Sequence, residues 1–351
     1  MVYNPSFHPF QDDEFQKVKI IRKPSPEKYI GPAANYLYDF ICIRDAIKRK
    51  ADIVLECGYA TAVPALKILN FSTTKLLINP DGMEWQRQKF NSFVRRIIKR
   101  AENNMAKSGH KLVCDSPELV KYYKEKYNAD SFYIPYGAEI FNNPDEKKLS
   151  DYKVKPFEYY LVIARFEPEN NLRKIIQGFL MSRSKERLLL NEMLPDGELE
   201  NNDGELPENK LLIISSTLNH YGHELFRKFS ANPDILFTKD IFDQRILDNL
   251  RYYSRAYFHG HSAGGTNPSL LEAMSAGAFI VAHDNIFNRN ILKDNALYFS
   301  NETDISKILL SENEWMHKKE AFVKANLNLI EKVYSWEDVA DKYENLLKSL
   351  I

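Results

Sequence analysis

The chain has 351 residues and carries 48 Lys plus Arg against 48 Asp plus Glu, so its formal net charge is +0. This balance excludes the strongly basic field of a typical nucleic-acid-binding protein and favours a small or neutral partner. The length predicts two domains, each with its own hydrophobic core. Three cysteines without metal-ligand spacing fit a reducing cytoplasm, and no apolar run approaches the ~18 residues of a membrane span.

Short apolar runs alternate along the chain with longer helical patterns, which is typical of parallel α/β domains. The runs are IVLEC at 53–57, LLIN at 76–79, KLVCD at 111–115, YYLVIAR at 159–165, LLIISS at 211–216, RAYFHG at 255–260 and AFIVAH at 278–283. A polar stretch at 140–155, interrupted by prolines, predicts a linker. We therefore expect domains at 1–145 and 146–330, followed by a closing helix at 331–351.

Two charged segments stand out. The segment 87–107, RQKFNSFVRRIIKRAENNMAK, predicts an amphipathic basic helix with Phe93 and Ile97 among its apolar residues. Its basic face could rest on an anionic membrane surface. The alternative is a helix that packs on its sheet and exposes the basic face to solvent. The acidic segment 191–210 predicts a flexible surface loop, with an electrostatic guard over a cleft as the alternative.

The segment 258–277, FHGHSAGGTNPSLLEAMSAG, joins the end of an apolar strand to a glycine-rich turn and a helix start. Asn267 followed by Pro268 is typical of an N-cap and a first helical residue. The helix N-terminus would direct free N–H groups and partial positive charge into the turn, which favours a diphosphate there. Glu272 would lie roughly 7 Å inside the helix, within reach of a nucleoside sugar. The alternative is an ordinary helix entry with a solvated glutamate.

Four motifs in order, NPDGMEWQRQKF at 79–90, YIPYGA at 133–138, VIARFEPENN at 162–171 and HGHSAGGTNPSLLEAM at 259–274, resemble the retaining glycosyltransferases of family four. Within that family they are most similar to a bacterial subgroup that includes rhamnosyltransferases of capsule and O-antigen assembly. The resemblance implies an α/β protein of GT-B architecture, with two Rossmann-like domains facing a cleft. The second domain would hold the nucleotide sugar, and the closing helix would return toward the first.

The resemblance also implies the donor-binding residues. Arg165 matches the arginine that neutralises the donor diphosphate, although an ion pair with Glu167 or Glu169 is the alternative. The wider family has lysine where this chain has Asn170, and Gly264 stands where relatives carry the first of two paired glutamates. His261 would take over a polar contact, whereas His259 would be a satisfied core residue. The full donor set is Arg165, Asn170, His261, Gly264, Gly265, Thr266, Asn267 and Glu272.

The acceptor side is implied by the first-domain loop that follows the strand LLIN. Asp81, Gly82, Glu84 and Trp85 fall there, at the carboxyl end of a strand, where ligands of open α/β sheets bind. Asp81 would accept a bond from a sugar hydroxyl, with a plain turn residue as the alternative. Trp85 suits core packing equally well. The catalytic candidates are Asp81, Arg165 and His261.

The first domain departs from the family at its start, where relatives have a strand, a glycine-rich turn and a helix. Met1–Pro5 resembles the second strand of the family, so about 45 residues would be missing by comparison with ordinary domain sizes. Loss of a central strand would leave its neighbours with unpaired backbone groups. We therefore expect poor stability, self-association or a partner chain that completes this domain.

The implied function is transfer of a sugar from a nucleoside diphosphate sugar, dTDP-rhamnose or a UDP-hexose, with retention at the anomeric carbon. The acceptor would be a glycan or lipid-linked saccharide of surface polysaccharide synthesis. No metal or other cofactor is expected, and no nucleic acid partner. The enzyme would be cytoplasmic, with peripheral contact at the inner face of the membrane. A catalytically silent nucleotide-binding or partner-binding fragment and a nucleotide-sugar epimerase are the alternatives.

Overall fold

A computed structural model describes residues 1–87, 90–193, 209–215 and 219–351 of the chain. The molecule divides into two compact units. The first comprises residues 1–86, 90–134 and 341–351, and the second comprises residues 87–89 and 135–340. Within the described residues, no helix is both long enough and apolar enough to cross a membrane.

The first unit contains seven strands and five complete helices among its described residues. The strands are β1 (Val2–Pro5), β2 (Glu14–Phe15), β3 (Val18–Lys23), β4 (Ile53–Cys57), β5 (Lys75–Asn79), β6 (Lys111–Cys114) and β7 (Ser131–Tyr133). The helices are α1 (Glu27–Ile30), α2 (Ala34–Lys48), α3 (Val63–Ile68), α4 (Ser92–Ala106) and α5 (Pro117–Tyr127), with 3-10 turns at Gly31–Ala33 and Glu84–Gln86. Helix α4 begins where the Asn91 side chain accepts a hydrogen bond from the Val94 amide at 2.9 Å.

The strands of the first unit form two separate sheets. One has the order β1-β3-β2, and the other is a parallel sheet of order β4-β5-β6-β7. Helix α2 contacts both, because Asp45 accepts a hydrogen bond from the Tyr3 hydroxyl at 3.0 Å while Ile43 packs in a cluster with Val54 of β4. Among the described residues, β1 pairs only with β3 and β4 only with β5. The two edges flanking α2 are therefore open for strand pairing, and the expected self-association stays a prediction.

The second unit contains six strands among its described residues. The last helix of the chain belongs to the first unit from Asp341 onward. The strands are β8 (Tyr159–Ile163), β9 (Lys210–Ile214), β10 (Ile235–Thr238), β11 (Ala256–His259), β12 (Ile280–His283) and β13 (Leu297–Phe299). The helices are α6 (Leu172–Met193), α7 (His220–Phe229), α8 (Gln244–Tyr252), α9 (Pro268–Ser275), α10 (Ile286–Leu292), α11 (Glu302–Leu310), α12 (Glu312–Met316), α13 (Lys319–Val333) and α14 (Trp336–Leu350), with 3-10 turns at Glu146–Tyr152 and Pro168–Asn170.

One parallel sheet of order β10-β9-β8-β11-β12-β13 organises the second unit. Successive residues of β8 face opposite sides of this sheet, as a strand requires. Tyr160 and Val162 join one buried cluster, whereas Tyr159 and Leu161 join the other. Both faces of the sheet are therefore covered by helices, as is usual for parallel sheets.

Two predicted segments differ from the structure. The basic helix predicted at 87–107 spans Ser92–Ala106, and its Phe93 and Ile97 are 66% and 38% exposed. The acidic segment 191–210 begins inside α6, which continues to Met193. The remainder of that segment, 194–208, lies outside the described residues.

Candidate functional site

The site predicted in the second unit lies where the strand order of its sheet reverses. From β8 the chain moves outward through β9 and β10, and then returns to place β11 on the other side of β8. In open α/β sheets, ligands bind in the crevice beside the carboxyl ends of the strands at such a point. The loop 164–171 follows β8 and the loop 260–267 follows β11, so both predicted donor segments start at this crevice.

The loop after β8 exposes Arg165 and turns its other polar residues inward. The Arg165 side chain makes no ion pair with Glu167, Glu169 or any other described residue, so the surface-pair alternative does not hold there. Asn170 is buried, and its amide donates to the Arg165 carbonyl at 2.8 Å. Asn170 thus stabilises the loop that presents Arg165.

The two loops contact each other closely. The Asn171 amide donates to the Gly260 carbonyl at 2.8 Å, and the Ser262 amide donates to the Glu169 carbonyl at 2.9 Å. A Cβ atom at Gly260 would lie 2.0 Å from the Asn170 oxygen, so only glycine fits. Gly264 has φ of 123°, a conformation that side chains disfavour, and a Cβ atom there would meet nothing within 4 Å. The glycine turn therefore has space for a ligand at Gly264, whereas at Gly260 it packs directly against the loop 164–171.

Two histidines stack beneath this turn. The rings of His259 and His261 have centroids 4.5 Å apart and planes 17° apart. Burial, followed by the charge of Arg165, lowers the pKa of His261 to about 4. Burial and the neighbouring His261 lower the pKa of His259 well below its ordinary value. Both rings are therefore neutral at neutral pH.

His259 was predicted to be a satisfied core residue, and this is wrong in one respect. The residue is buried, but neither of its ring nitrogens has a hydrogen-bond partner within the described part of the chain. The same is true of Nδ1 of His261 and of Oε2 of the buried Glu169. Buried polar atoms usually have partners, and exceptions often mark functional sites.

Helix α9 begins as predicted at Asn267, whose side chain accepts from the Ser269 amide at 3.0 Å, with Pro268 as the first helical residue. Glu272 lies on this helix, and its Oε2 forms an ion pair with Arg251. Arg251 also binds Asp248 at 2.9 Å, and its side chain is 1% exposed. A buried arginine therefore holds one oxygen of the Glu272 carboxylate, while the Glu272 side chain stays 34% exposed.

A cavity of about 710 Å³ opens beside Glu272 within the second unit. It is lined by Tyr136–Asn142, Gln244, Arg245, Asp248, Pro268, Glu272, Ser275 and Trp336. Arg165, His261 and Gly264 do not line it. Glu272 therefore connects the helix that starts at the glycine turn with a space large enough for a small ligand.

The four acceptor-side candidates lie in the first unit, after β5. Asp81 and Gly82 both have left-handed backbone conformations, with φ of 49° and 89°. The Asn79 side chain accepts from the Asp81 amide at 3.0 Å, which closes an Asx turn. The Asp81 charge contributes to the raised pKa of Cys57, after burial and Glu56, so the ends of β4 and β5 are neighbours. Glu84 and Trp85 follow in the 3-10 turn.

Trp85 is held by a carboxylate that the sequence did not single out. Its indole donates to Oε2 of Glu102 at 2.7 Å, and Glu102 is completely buried in α4. Oε1 of Glu102 accepts from Lys99 at 2.6 Å, from Tyr122 at 2.7 Å and from Tyr127 at 2.5 Å. Trp85 therefore serves at least as a packing residue that anchors the 3-10 turn.

Sequence reasoning missed Arg251 and Glu102, and one local signal was available for each. Arg251 follows Asp248 by three residues, and Glu102 follows Lys99 by three, which is ion-pair spacing on a helix. That spacing is usually found on exposed helix faces, so it could not reveal burial. Within the described residues, no group of three or more His, Cys, Asp or Glu side chains is placed to bind a metal ion.

A family model described as a domain of unknown function, DUF1972, matches residues 10–139. No curated protein matches the chain. Among solved structures, the chain resembles sucrose-phosphate synthase from Thermosynechococcus elongatus with a TM-score of 0.75 at 12% identity, covering 99% of this chain and 88% of that one.

Two further structures are similar over most of their length. HepE from Anabaena, solved in complex with UDP, has a TM-score of 0.65 at 11% identity and covers 95% of this chain and 86% of that one. A glycosyltransferase from Rickettsia africae has a TM-score of 0.66 at 15% identity, with coverage of 95% and 85%. The chain therefore has the α/β GT-B fold that the motifs predicted. At these identities the likeness establishes the fold alone.

Proposed function

We propose that this protein is a retaining glycosyltransferase that moves a sugar from a nucleoside diphosphate sugar to a glycan or lipid-linked saccharide of surface polysaccharide synthesis. One observation carries the proposal. Arg165, the open turn at Gly264 and the start of α9 converge at the switch point of the second sheet. The likeness to HepE, which was solved with UDP-glucose, supports a sugar nucleotide as the ligand. We propose dTDP-rhamnose or a UDP-hexose as the donor, and a cytoplasmic location where such donors occur.

The diphosphate would lie in the glycine turn. The amides of 264–267 and the start of α9 would donate to its oxygens, and Arg165 would add a permanent positive charge. Preorganised donors of this kind stabilise the charge that develops on the leaving diphosphate by about 3 kcal/mol each. His261, whose pKa is lowered to about 4, would contribute as a neutral hydrogen-bonding group.

The nucleoside sugar would bind at Glu272. Arg251 occupies Oε2 of this carboxylate and so directs Oε1 to the hydroxyls of the ligand. A carboxylate fixed in one orientation loses little conformational entropy on binding. The 710 Å³ cavity beside Glu272 would then receive the adjoining part of the nucleoside.

In the transfer step, the bond between the anomeric carbon and the phosphate oxygen breaks, and the acceptor oxygen bonds to the same face of the sugar. The leaving phosphate takes the proton of the acceptor hydroxyl. We propose that the reaction needs no metal or other cofactor. Asp81, Gly82, Glu84 and Trp85 remain our candidates for the acceptor side, with Asp81 as the hydrogen-bond acceptor.

The test is Arg165→Ala in a transfer assay at saturating donor, with the exposed Arg227 on α7 replaced by alanine as the matched control. We expect turnover to fall at least about a hundredfold for Arg165→Ala, because a charge-stabilising donor is lost. Arg227→Ala should leave turnover unchanged. Equal turnover in wild type and Arg165→Ala would sink the assigned role.

A second candidate is a catalytically silent protein that binds nucleotide. Gly264 in place of the family's glutamate, and the inward Asn170, favour it. Calorimetry that shows nucleotide binding, together with no turnover across donors and acceptors, would select this candidate.

We also propose that a second chain pairs with the edges of β1 and β4, each of which has one strand neighbour among the described residues. Sedimentation of the purified protein should then show association that grows with concentration. A sharp monomeric unfolding transition, independent of concentration, would count against it.

A further inference from the structure

Helix α4 presents an unusual combination of residues to solvent. Ile98, Ala101 and Met105 are buried in the first unit, so one side of the helix faces the core. We call the opposite side the α4 outer face. It consists of Phe93, Arg96, Ile97, Arg100 and Lys107, all of them exposed. At 3.6 residues per turn these five side chains fall within an arc of about 100°.

The charge on this face has one sign. Arg96, Arg100 and Lys107 form no ion pair with any residue in the described part of the chain. Glu102, the single carboxylate of α4, points to the other side and is buried against Lys99 and Trp85. Helix α3, which packs on α4, adds the exposed Lys67 and Ile68 and no acidic residue. Within the described residues, the basic side chains of the outer face therefore have no carboxylate as an ion-pair partner.

Apolar side chains lie among these charges. Phe93 is 66% exposed and Ile97, one turn later, is 38% exposed. Neither residue belongs to the buried cluster of the unit, to which α4 contributes Ile98, Ala101 and Met105. An aromatic and an aliphatic residue ringed by basic residues match the chemistry of an anionic lipid interface.

We propose that the α4 outer face binds the surface of an anionic lipid bilayer. Arg96, Arg100 and Lys107 would contact headgroup phosphates, while Phe93 and Ile97 enter the boundary between headgroups and acyl chains. The helix would lie along the surface without crossing it. Binding would be weak and reversible, because a single short helix face supplies it. The inference is independent of the proposed function, since it involves no residue assigned to the donor.

Vesicle co-sedimentation of the full chain tests the proposal without a measurement of activity. We expect binding to vesicles of phosphatidylcholine containing one-third phosphatidylglycerol, and little binding to pure phosphatidylcholine. The double variant Arg96→Gln/Arg100→Gln should lower the partition coefficient by about thirtyfold, because each basic residue near the surface contributes about fivefold. Phe93→Ser/Ile97→Ser should lower it at least about tenfold, because its apolar surface no longer leaves water.

Matched controls lie in the same unit. Tyr29→Ser removes an aromatic side chain that is 88% exposed on α1, and Lys121→Gln/Lys124→Gln removes two exposed charges on α5. Both should bind like the wild type, and circular dichroism should show that every variant keeps the wild-type fold. The proposal would be overturned if the wild type ignored anionic vesicles, or if both α4 double variants bound them as the wild type does. Equal binding to neutral and anionic vesicles would also contradict it.

Discussion

Each unit buries a glutamate next to a predicted functional loop, and the two carboxylates are treated in opposite ways. Glu102 of the first unit accepts hydrogen bonds from Trp85, Lys99, Tyr122 and Tyr127. Glu169 of the second unit is 7% exposed, yet its Oε2 has no partner among the described residues. A satisfied buried carboxylate stabilises a fold, whereas an unsatisfied one costs free energy.

The difference in hydrogen bonding suggests different roles: Glu102 is a structural residue, whereas Glu169 belongs to a candidate ligand site. In the second unit, Oε2 of Glu169 occurs with both ring nitrogens of His259 and with Nδ1 of His261, which also lack partners within the described residues. Three such groups beside one glycine turn form a polar environment that a ligand could complete. In the first unit, both oxygens of Glu102 have partners, so Trp85 anchors the 3-10 turn in addition to its proposed place on the acceptor side.

The largest effect we expect is on the first unit. Glu102→Ala should lower the free energy of unfolding by about 3–5 kcal/mol, because it removes the acceptor of three half-buried donors, on Trp85, Tyr122 and Tyr127, and leaves Lys99 with only the Tyr122 hydroxyl. Chemical denaturation measures this loss. Glu125→Gln, on the exposed face of α5 and 3.8 Å from Lys121, should change the free energy by less than about 0.5 kcal/mol. A loss below about 1 kcal/mol for Glu102→Ala would remove the contrast between the units.

The second effect is a pH dependence that belongs to the second unit. The pKa of His261 is lowered to about 4, whereas an unfolded histidine titrates near 6.5. As the pH falls from about 6.5 to about 4, the unfolded chain binds a proton that the folded chain does not. The free energy of unfolding should therefore decrease by up to about 3 kcal/mol over this window, and the stabilisation should be complete above it.

His261→Gln should make this pH profile less steep, with the contribution of His259 remaining, while His220→Gln, at an exposed position on α7, should leave its slope intact. Denaturation midpoints of the wild type and both variants, measured between pH 4 and 6.5, test this expectation. A wild-type profile that is flat between pH 4 and 6.5 would show that the buried histidines do not couple to folding.

The smallest effect concerns Glu169 itself. Glu169→Gln should change the free energy of unfolding by no more than about 1 kcal/mol, because the substitution removes the desolvation cost of a charge whose Oε2 has no described partner. Thermal unfolding of this variant beside Glu102→Gln gives the direct comparison. If Glu169→Gln lowered the free energy of unfolding as much as Glu102→Gln, the two carboxylates would have the same structural role.

Much of the fold could be predicted because parallel strands leave a strong signal. The run IVLEC became β4 at the same residues, 53–57, and the Asn267–Pro268 pair marks the start of α9. Periodicity could not predict that the first unit holds two separate sheets, since strand pairing depends on long-range contacts. It also could not predict that Phe93 and Ile97 are exposed, because an amphipathic pattern does not distinguish a core face from an exposed apolar one.

The candidate site was predictable only in part. The motifs located Arg165, the glycine turn and Glu272, and the structure brings their loops to one crevice of the second unit. The partner of Glu272 could not be predicted, because Arg251 lies 21 residues away on another helix. The inward orientation of Asn170 was also hidden, since an asparagine in a loop is usually solvated.

Gly260 sets a limit on how this site could diversify. A Cβ atom at this position would lie 2.0 Å from the Asn170 carbonyl oxygen, so no side chain fits where the loops 164–171 and 260–267 meet. Any substitution of Gly260 would cause a steric clash that destabilises the fold, so it could not serve to alter ligand preference. A change of preferred ligand during evolution would therefore arise at Gly264, where a side chain has space, or among the residues that line the cavity beside Glu272. Those positions are the ones to randomise in a library.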